Sequence, residues 1–153
     1  MTSFDLTFAT DADKDATASE IENQLLQSLA QTNMQARNEN FVLKVASKNG
    51  GLLAGLTAST SYGWLLIKTL WVDESMRGTG LGRRLVEAAE QKGRELECGN
   101  AWLDTSNRDA REFYRNLGYE DFGKLKNGQG DRPSDHRRWF MKKSLVTVGP
   151  SPT

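Results

Sequence analysis

The sequence is poor in the residues that build disulfides and metal clusters. It has one cysteine, Cys98, and one histidine, His136, in 153 residues. An intrachain disulfide needs two cysteines, and a zinc cluster of cysteine and histidine needs several such ligands, so both are excluded. Cys98 has no activating neighbour in the sequence, and we expect it to pack as a small core residue.

The sequence also lacks an excess of one charge and a long apolar run. Lysine plus arginine and aspartate plus glutamate number 20 each, which gives a formal net charge of zero. A nucleic-acid binder held by a broad basic face is therefore not expected. No apolar segment approaches the ~20 residues that cross a bilayer, and the N-terminus does not resemble a signal peptide. We therefore expect a cytoplasmic protein without a membrane partner.

The hydrophobic periodicity that is present predicts alternating strands and helices. Strands are predicted at residues 4–9, 41–46, 52–60, 64–72, 101–105, 119–125 and 136–143, and helices at about 20–38, 81–97 and 108–117. This order indicates an α/β fold with a mixed, mostly antiparallel central sheet flanked by helices, in which the unit from 64 to 105 is a parallel crossover. We expect one domain over residues 1–145, followed by a flexible tail at 146–153. The four tryptophans are expected to pack against the sheet.

A glycine-rich turn joins the fourth predicted strand to the helix that follows it. Residues 77–82 read Arg-Gly-Thr-Gly-Leu-Gly. Free backbone N–H groups at a helix N-terminus form a favourable site for phosphate. A Walker A loop would need a lysine after Gly82, where Arg83 stands, and a Rossmann turn would need different glycine spacing after the first strand. Both alternatives fit poorly.

Two separated motifs resemble the GNAT superfamily, the acetyl-CoA-dependent N-acetyltransferases. The turn fits the pattern R-x-x-G-x-G with Arg77, Gly80 and Gly82, and the segment 107–119 fits N-x-x-A-x-x-F-Y-x-x-x-G-F/Y. The predicted order of strands and helices is also similar to that of the superfamily. The resemblance covers residues 41–143 well and the first forty residues by topology alone.

The resemblance implies where acetyl-CoA, the co-substrate, binds. The pyrophosphate would lie on the glycine turn, and pantetheine would follow the strand 64–72 into a gap where this strand and the strand 101–105 splay apart. Asn107 would contact the pantetheine arm. The expected binding residues are Leu70, Val72, Arg77, Gly78, Thr79, Gly80, Leu81, Gly82, Arg83 and Asn107. No metal is implied.

The resemblance also implies direct transfer of an acetyl group from the thioester to an amine. Tyr114 matches the general acid that protonates the leaving thiolate, because a neutral phenol can donate a proton at pH 7; the alternative is that its ring only packs. Backbone N–H groups near Leu70 would stabilise the oxyanion. Asp104 is the candidate base, although it is also a typical loop-capping carboxylate. His136 is expected to contact substrate or to lie on the surface.

The predicted function is therefore an N-acetyltransferase that acts on a primary amine of a small molecule or a protein, and a homodimer is compatible with the sequence. The helix at 20–38, the loop 126–135 and Asp104 are expected to shape the acceptor site, where Asp131 and Asp135 would attract a cation. Two alternatives remain open: a non-catalytic module that senses acyl-CoA, which would not need Tyr114, and a nucleotide-binding regulator that uses the same turn.

Overall fold

The structure is a computed structural model that describes residues 3–30 and 38–146. By its internal contacts the chain divides into two units, residues 1–35 and 36–153.

Among its described residues, 3–30, the first unit forms one helix, α1 (Lys14–Ala30). The predicted strand at residues 4–9 is wrong: residues 3–10 form no regular structure, and Phe4, Leu6 and Phe8 are 87%, 91% and 97% exposed. A strand is stable only when a neighbouring strand completes its hydrogen bonds, and the described part of this unit contains no second strand. The helix begins before the predicted residue 20, and residues 31–37 of its predicted C-terminal part lie outside the described residues.

The second unit contains the sheet and two helices. Its elements, in chain order, are β1 (Asn40–Ala46), β2 (Leu52–Ser61), β3 (Trp64–Val72), a short 3₁₀ turn (Glu74–Met76), α2 (Leu81–Glu95), β4 (Asn100–Thr105), α3 (Arg108–Asn116), β5 (Glu120–Lys126) and β6 (Arg137–Ser144). These bounds agree closely with the predicted elements from residue 41 onward.

The six described strands form one sheet in the order β1-β2-β3-β4-β6-β5. Only β3 and β4 are parallel, and every other neighbouring pair is antiparallel. The mixed, mostly antiparallel sheet and its parallel crossover through α2 are therefore confirmed. Tyr62 and Gly63 both have positive φ, 50° and 79°, which suits the tight turn of the β2–β3 hairpin.

The core lies between one face of the sheet and the helix α2. The helix buries Leu85, Val86 and Ala89, at helical spacing, in the same cluster as Leu56 and Leu65 of the sheet. Cys98 is also buried, and burial raises the pKa of its thiol, so the expectation that it packs in the core is confirmed. None of the helices in the described ranges is long and apolar enough to cross a membrane.

Candidate active site

A cleft of the second unit opens where β3 and β4 separate. The two strands pair only from Trp64 and Asn100 to Leu66 and Trp102; no further pair joins them within the described residues. Opposite this point the register of β2 and β3 shifts, because Ile67 pairs with Ala58 whereas Thr69 pairs with Thr57. One extra residue in a strand bends it locally. The predicted splay between these strands is therefore present, and the cleft has a volume of about 750 Å³.

Predicted site residues from three elements surround this cleft. β3 and the turn after it contribute Leu70, Val72 and Arg77, β4 and its end contribute Asp104 and Asn107, and α3 contributes Tyr114. The remaining predicted residues, 78–83, follow Arg77 and lead into the first turn of α2. The structure thus brings residues from distant parts of the chain to one place.

The glycine turn exposes the N-terminus of α2 by its backbone geometry. Gly78 and Gly80 have φ of 77° and 82°, a region that glycine adopts without the strain of a side chain. Gly80 is the N-cap of α2 and provides no side-chain cap. The first helical hydrogen bond runs from Arg84 N to Gly80 O, at 3.1 Å. The N–H groups of residues 81–83 therefore belong to the first turn, where an α-helix has no internal acceptor for them.

Gly82 has a different setting from the two glycines before it. It has no positive φ, and a Cβ built on it would lie 3.4 Å from Phe113 Cζ and 3.7 Å from Val72 Cγ2. Phe113 and Val72 both line the cleft. Gly82 therefore places the first turn of α2 directly against the cleft wall.

Arg77 and Arg83, the two arginines at the turn, both make contacts with other groups of the chain. Arg77 Nε donates to Val72 O at 3.3 Å, and Arg83 Nε lies 3.4 Å from a Glu87 carboxylate oxygen on an exposed face. Arg77 lines the cleft, whereas Arg83 does not. Thr79 donates its hydroxyl to Met76 O at 2.6 Å and so stabilises the turn.

Asn107 has a structural role as the N-cap of α3. Its Oδ1 accepts a hydrogen bond from Ala110 N at 2.9 Å. Its Nδ2 has no partner in the described part of the chain, which leaves the amide donor free at the edge of the cleft.

Tyr114 has a buried ring and an accessible hydroxyl. The residue is 7% exposed, and its ring makes edge contacts with Phe113 and Tyr119 at centroid distances of 5.1 and 5.7 Å. No side-chain oxygen or nitrogen of the described residues is sealed from solvent without a hydrogen-bond partner. The Tyr114 hydroxyl has no such partner there, so it reaches solvent, and the cleft is the space it lines.

Burial raises the pKa of Tyr114 to about 12. The charged phenolate is disfavoured because the surrounding rings exclude water. At neutral pH the side chain is a neutral phenol that can donate a proton into the cleft.

Asp104 lies on the cleft wall formed by β4 and makes an ion pair with Arg138. Its Oδ1 is 3.7 Å from Arg138 Nε, and its side chain is 38% exposed. The carboxylate is therefore accessible from the cleft and oriented by a cation.

His136 lies outside the cleft. Its Nε2 is 3.5 Å from Ser106 Oγ, and it lines a separate depression with Arg108 and Asp135.

Asp131, which was predicted to attract an acceptor, accepts a hydrogen bond from Gly128 N at 2.7 Å within its own loop. The described residues contain no group of three or more potential metal ligands.

Sequence reasoning missed several residues that line the cleft. Trp71 was expected to pack against the sheet, but it is 46% exposed and lines the cleft with Thr105 and Phe113. Phe113 immediately precedes Tyr114 in the second motif, and this position is the one sequence signal that marks it. Nothing in the sequence around Trp71 or Thr105 distinguishes them from ordinary strand residues.

Comparison with known proteins decides the family. The model of the acetyltransferase (GNAT) family matches residues 7–119. The chain belongs to this family. The predicted superfamily is thereby confirmed.

Individual proteins agree with this assignment. Blasticidin-S acetyltransferase from Streptomyces morookaense is 36% identical over 88 residues, which are 56% of this chain and 65% of that protein. The chain spans less than two thirds of the length of the curated relatives that it matches: 61% of the acetyltransferase Atu2258 from Agrobacterium fabrum and 65% of blasticidin-S acetyltransferase. A crystal structure assigned to an acetyltransferase from Agrobacterium tumefaciens is 25% identical, with a TM-score of 0.78 over 94% of this chain and 99% of that chain. An aminoglycoside 6′-N-acetyltransferase solved with coenzyme A shares the fold, with a TM-score of 0.62, 20% identity, and coverage of 89% and 83%.

Proposed function

We propose that this GNAT domain transfers an acetyl group from acetyl-CoA directly to a primary amine. The observation that carries the proposal is the cleft itself: the Tyr114 hydroxyl reaches solvent on one wall, and the first turn of α2 lies against the same wall through Gly82 and Phe113. One element supplies backbone donors for phosphate, and the other supplies a proton donor.

The backbone of the cleft suits a thioester and its tetrahedral intermediate. Beyond Leu66, β3 has no partner on the β4 side within the described residues. In an antiparallel strand such as β3, alternate residues direct their N–H and C=O groups away from the partner strand. These groups of Leu70 and its neighbours are therefore available to pair with pantetheine amides and to stabilise an oxyanion.

The side chains supply the two proton transfers. A neutral amine attacks the thioester carbonyl, and its extra proton passes to Asp104, directly or through water. The intermediate then collapses, the C–S bond breaks, and Tyr114 donates its proton to the leaving thiolate. The resulting phenolate regains a proton from water, so coenzyme A leaves as the free thiol and the amide product carries the acetyl group.

The chemical class of the acceptor is part of the proposal. A relative whose name identifies blasticidin S as its substrate supports including small-molecule amines. Asp104 and its partner Arg138 place one negative and one positive group at the β4 wall. We propose a primary amine of a small molecule or a protein as the acceptor.

Two measurements test this function. An acceptor panel of antibiotic amines, polyamines, amino acids and peptide N-termini is incubated with acetyl-CoA, and release of free thiol is followed; we expect turnover with at least one class of amine. Calorimetry with coenzyme A, ATP and NAD is run beside it, and we expect preference for coenzyme A. Binding of coenzyme A without turnover would favour a non-catalytic acyl-CoA sensor, and preference for ATP would favour a nucleotide-binding regulator.

A further inference from the structure

A buried polar network lies beside the Tyr114 ring. Glu90 of α2 is 3% exposed. Its Oε2 accepts a hydrogen bond from the Tyr119 hydroxyl at 2.9 Å, and its Oε1 accepts one from Lys143 Nζ at 3.0 Å. We call Glu90, Tyr119 and Lys143 the Glu90 network.

This network is a costly way to fill a core. The Glu90 carboxylate is almost wholly removed from water and the Lys143 side chain, 23% exposed, is largely so; such desolvation carries a penalty, and replacing a buried ion pair by apolar residues of similar volume is often neutral or stabilising. Stability is therefore a weak explanation for it. A fully satisfied network does fix the positions of its members, because each hydrogen bond restricts the geometry of the next.

The network restrains Tyr119, and Tyr119 contacts Tyr114. The two rings meet at 5.7 Å and 70°, an edge-to-face geometry with a preferred orientation. The Tyr119 N–H also donates to Tyr114 O at 3.0 Å. Gly118 allows this tight return from α3, since its φ is 98° and a Cβ there would lie 3.4 Å from Lys143 Cε. The ring that the Glu90 network holds is thus both a backbone and a side-chain neighbour of Tyr114.

We propose that Glu90, Tyr119 and Lys143 are positioning residues that hold the Tyr114 ring so that its hydroxyl faces the cleft. The inference rests on the proposed function, in which Tyr114 protonates the leaving thiolate. A phenol that rotates or shifts by about an ångström would lose much of its efficiency as an acid.

Burial and the charges around Tyr119 keep its own phenol protonated. Burial raises the pKa of its phenol, Glu90 raises it further, and Arg94 of α2 opposes this more weakly. Lys143 Nζ lies 5.6 Å from the centroid of the Tyr119 ring. Tyr119 therefore remains a hydrogen-bond donor to Glu90 throughout the neutral range.

The test is a double-mutant cycle between Tyr119 and Tyr114. Tyr119→Phe keeps the ring and removes the hydroxyl, and we expect kcat to fall about tenfold with little change in KM for acetyl-CoA. In the Tyr114→Phe background the same change should leave kcat unaltered, because no acid remains to be positioned. Tyr62→Phe, in the exposed β2–β3 turn, is the matched control and should behave as the wild type.

An equal fold-loss in both backgrounds would overturn the inference, since it would reveal a general structural effect. So would an unchanged kcat in Tyr119→Phe. If Tyr119→Phe does not fold, Glu90→Gln and Glu90→Leu replace it. Leucine removes both acceptors and should reproduce the loss of kcat, whereas glutamine keeps one oxygen for the two donors, Tyr119 and Lys143, and should lose less; equal losses in the two variants would overturn the inference.

A spectroscopic readout separates this inference from the proposed function. The chain has three tyrosines, so 3-fluorotyrosine labelling gives three ¹⁹F resonances that the three Phe variants assign. We expect the Tyr114 resonance to shift or broaden in Tyr119→Phe and to remain unchanged in Tyr62→Phe. An unaffected Tyr114 resonance would contradict positioning, whether or not the wild type turns over; a wild type without turnover would contradict the proposed function alone.

Discussion

The start of α2 and the cleft wall formed by α3 are neighbours, since Gly82 lies against Phe113, but they are built from different parts of the chain. At the start of α2 the functional groups are backbone N–H groups, exposed because Gly78 and Gly80 take positive φ and because the N-cap has no side chain to bond them. At the α3 wall the functional group is one phenol, held by the buried rings of Phe113 and Tyr119.

This difference determines how each region responds to mutation. A backbone site depends on local conformation, and a side chain added at a strained φ damages it directly. A side-chain site depends on packing between distant segments, so it is damaged by removal of one atom or of a supporting neighbour.

Tyr114→Phe should produce the largest effect. Removing a general acid typically costs about 10²- to 10⁴-fold in rate, and the lower half of that range is expected for kcat because the ring and the fold are retained. The KM for acetyl-CoA should change little, since phosphate contacts lie at α2. Thiol-release kinetics measure both kcat and KM, with Tyr62→Phe as the control. Unchanged turnover in Tyr114→Phe would show that Tyr114 is not the general acid.

Gly80→Ala should weaken coenzyme A binding about tenfold, which corresponds to the loss of about one hydrogen bond to a charged group. The Cβ has open space but an unfavourable φ of 82°, so the turn must distort. Calorimetry gives the affinity. Gly50→Ala is the matched control, because Gly50 has φ of 86° and open space in the β1–β2 turn, outside the cleft.

Both glycine variants should lose about 1 kcal/mol of stability from the left-handed φ, and only Gly80→Ala should lose affinity. Equal affinities in the two variants would contradict a role of the α2 turn in binding phosphate.

Asp104→Asn should lower kcat by a smaller factor, about five- to tenfold, because water can accept the amine proton when the base is absent. Rates measured against pH should show a deficit that shrinks as pH rises, because hydroxide then accepts the proton in place of the carboxylate. Glu120→Gln, on β5 and outside the cleft, serves as the control. Equal rates for wild type and Asp104→Asn at every pH would exclude Asp104 as the base.

A separate effect, outside the neutral range in which the enzyme assays are run, is expected on stability at alkaline pH. The pKa of Tyr114 is raised by burial from 10 to about 12, so between these values the folded state holds a proton that the unfolded state loses. The free energy of unfolding must then fall as pH rises from 10 towards 12, by at most about 2–3 kcal/mol from this group. Denaturant unfolding of Tyr114→Phe should show a shallower fall over this window than wild type; parallel curves would contradict the burial effect on Tyr114.

The sequence predicts local features of this molecule better than long-range ones. The glycine turn and the helix after it were predicted because Arg77–Gly82 and the apolar spacing of α2 are read within a few residues. The strand at 4–9 was wrong because alternation of Phe4, Leu6 and Phe8 specifies a strand only where a neighbour exists to pair with it.

Glu90 illustrates the limit most clearly. In the segment Ala-Ala-Glu-Gln-Lys it looks like an ordinary surface residue of a helix, and its burial becomes intelligible only with Lys143, 53 positions away. The register shift at β3 is similar, since nothing in residues 64–72 marks Lys68 as the extra residue. Such features depend on which strands become neighbours, and periodicity does not encode that information.

The most direct test of the central claim is a crystal structure of the protein with coenzyme A. The account predicts the diphosphate against the first turn of α2, pantetheine between β3 and β4, and the sulfur facing the Tyr114 hydroxyl. Coenzyme A bound elsewhere, or a cleft between these strands that is filled by the protein's own side chains, would contradict it.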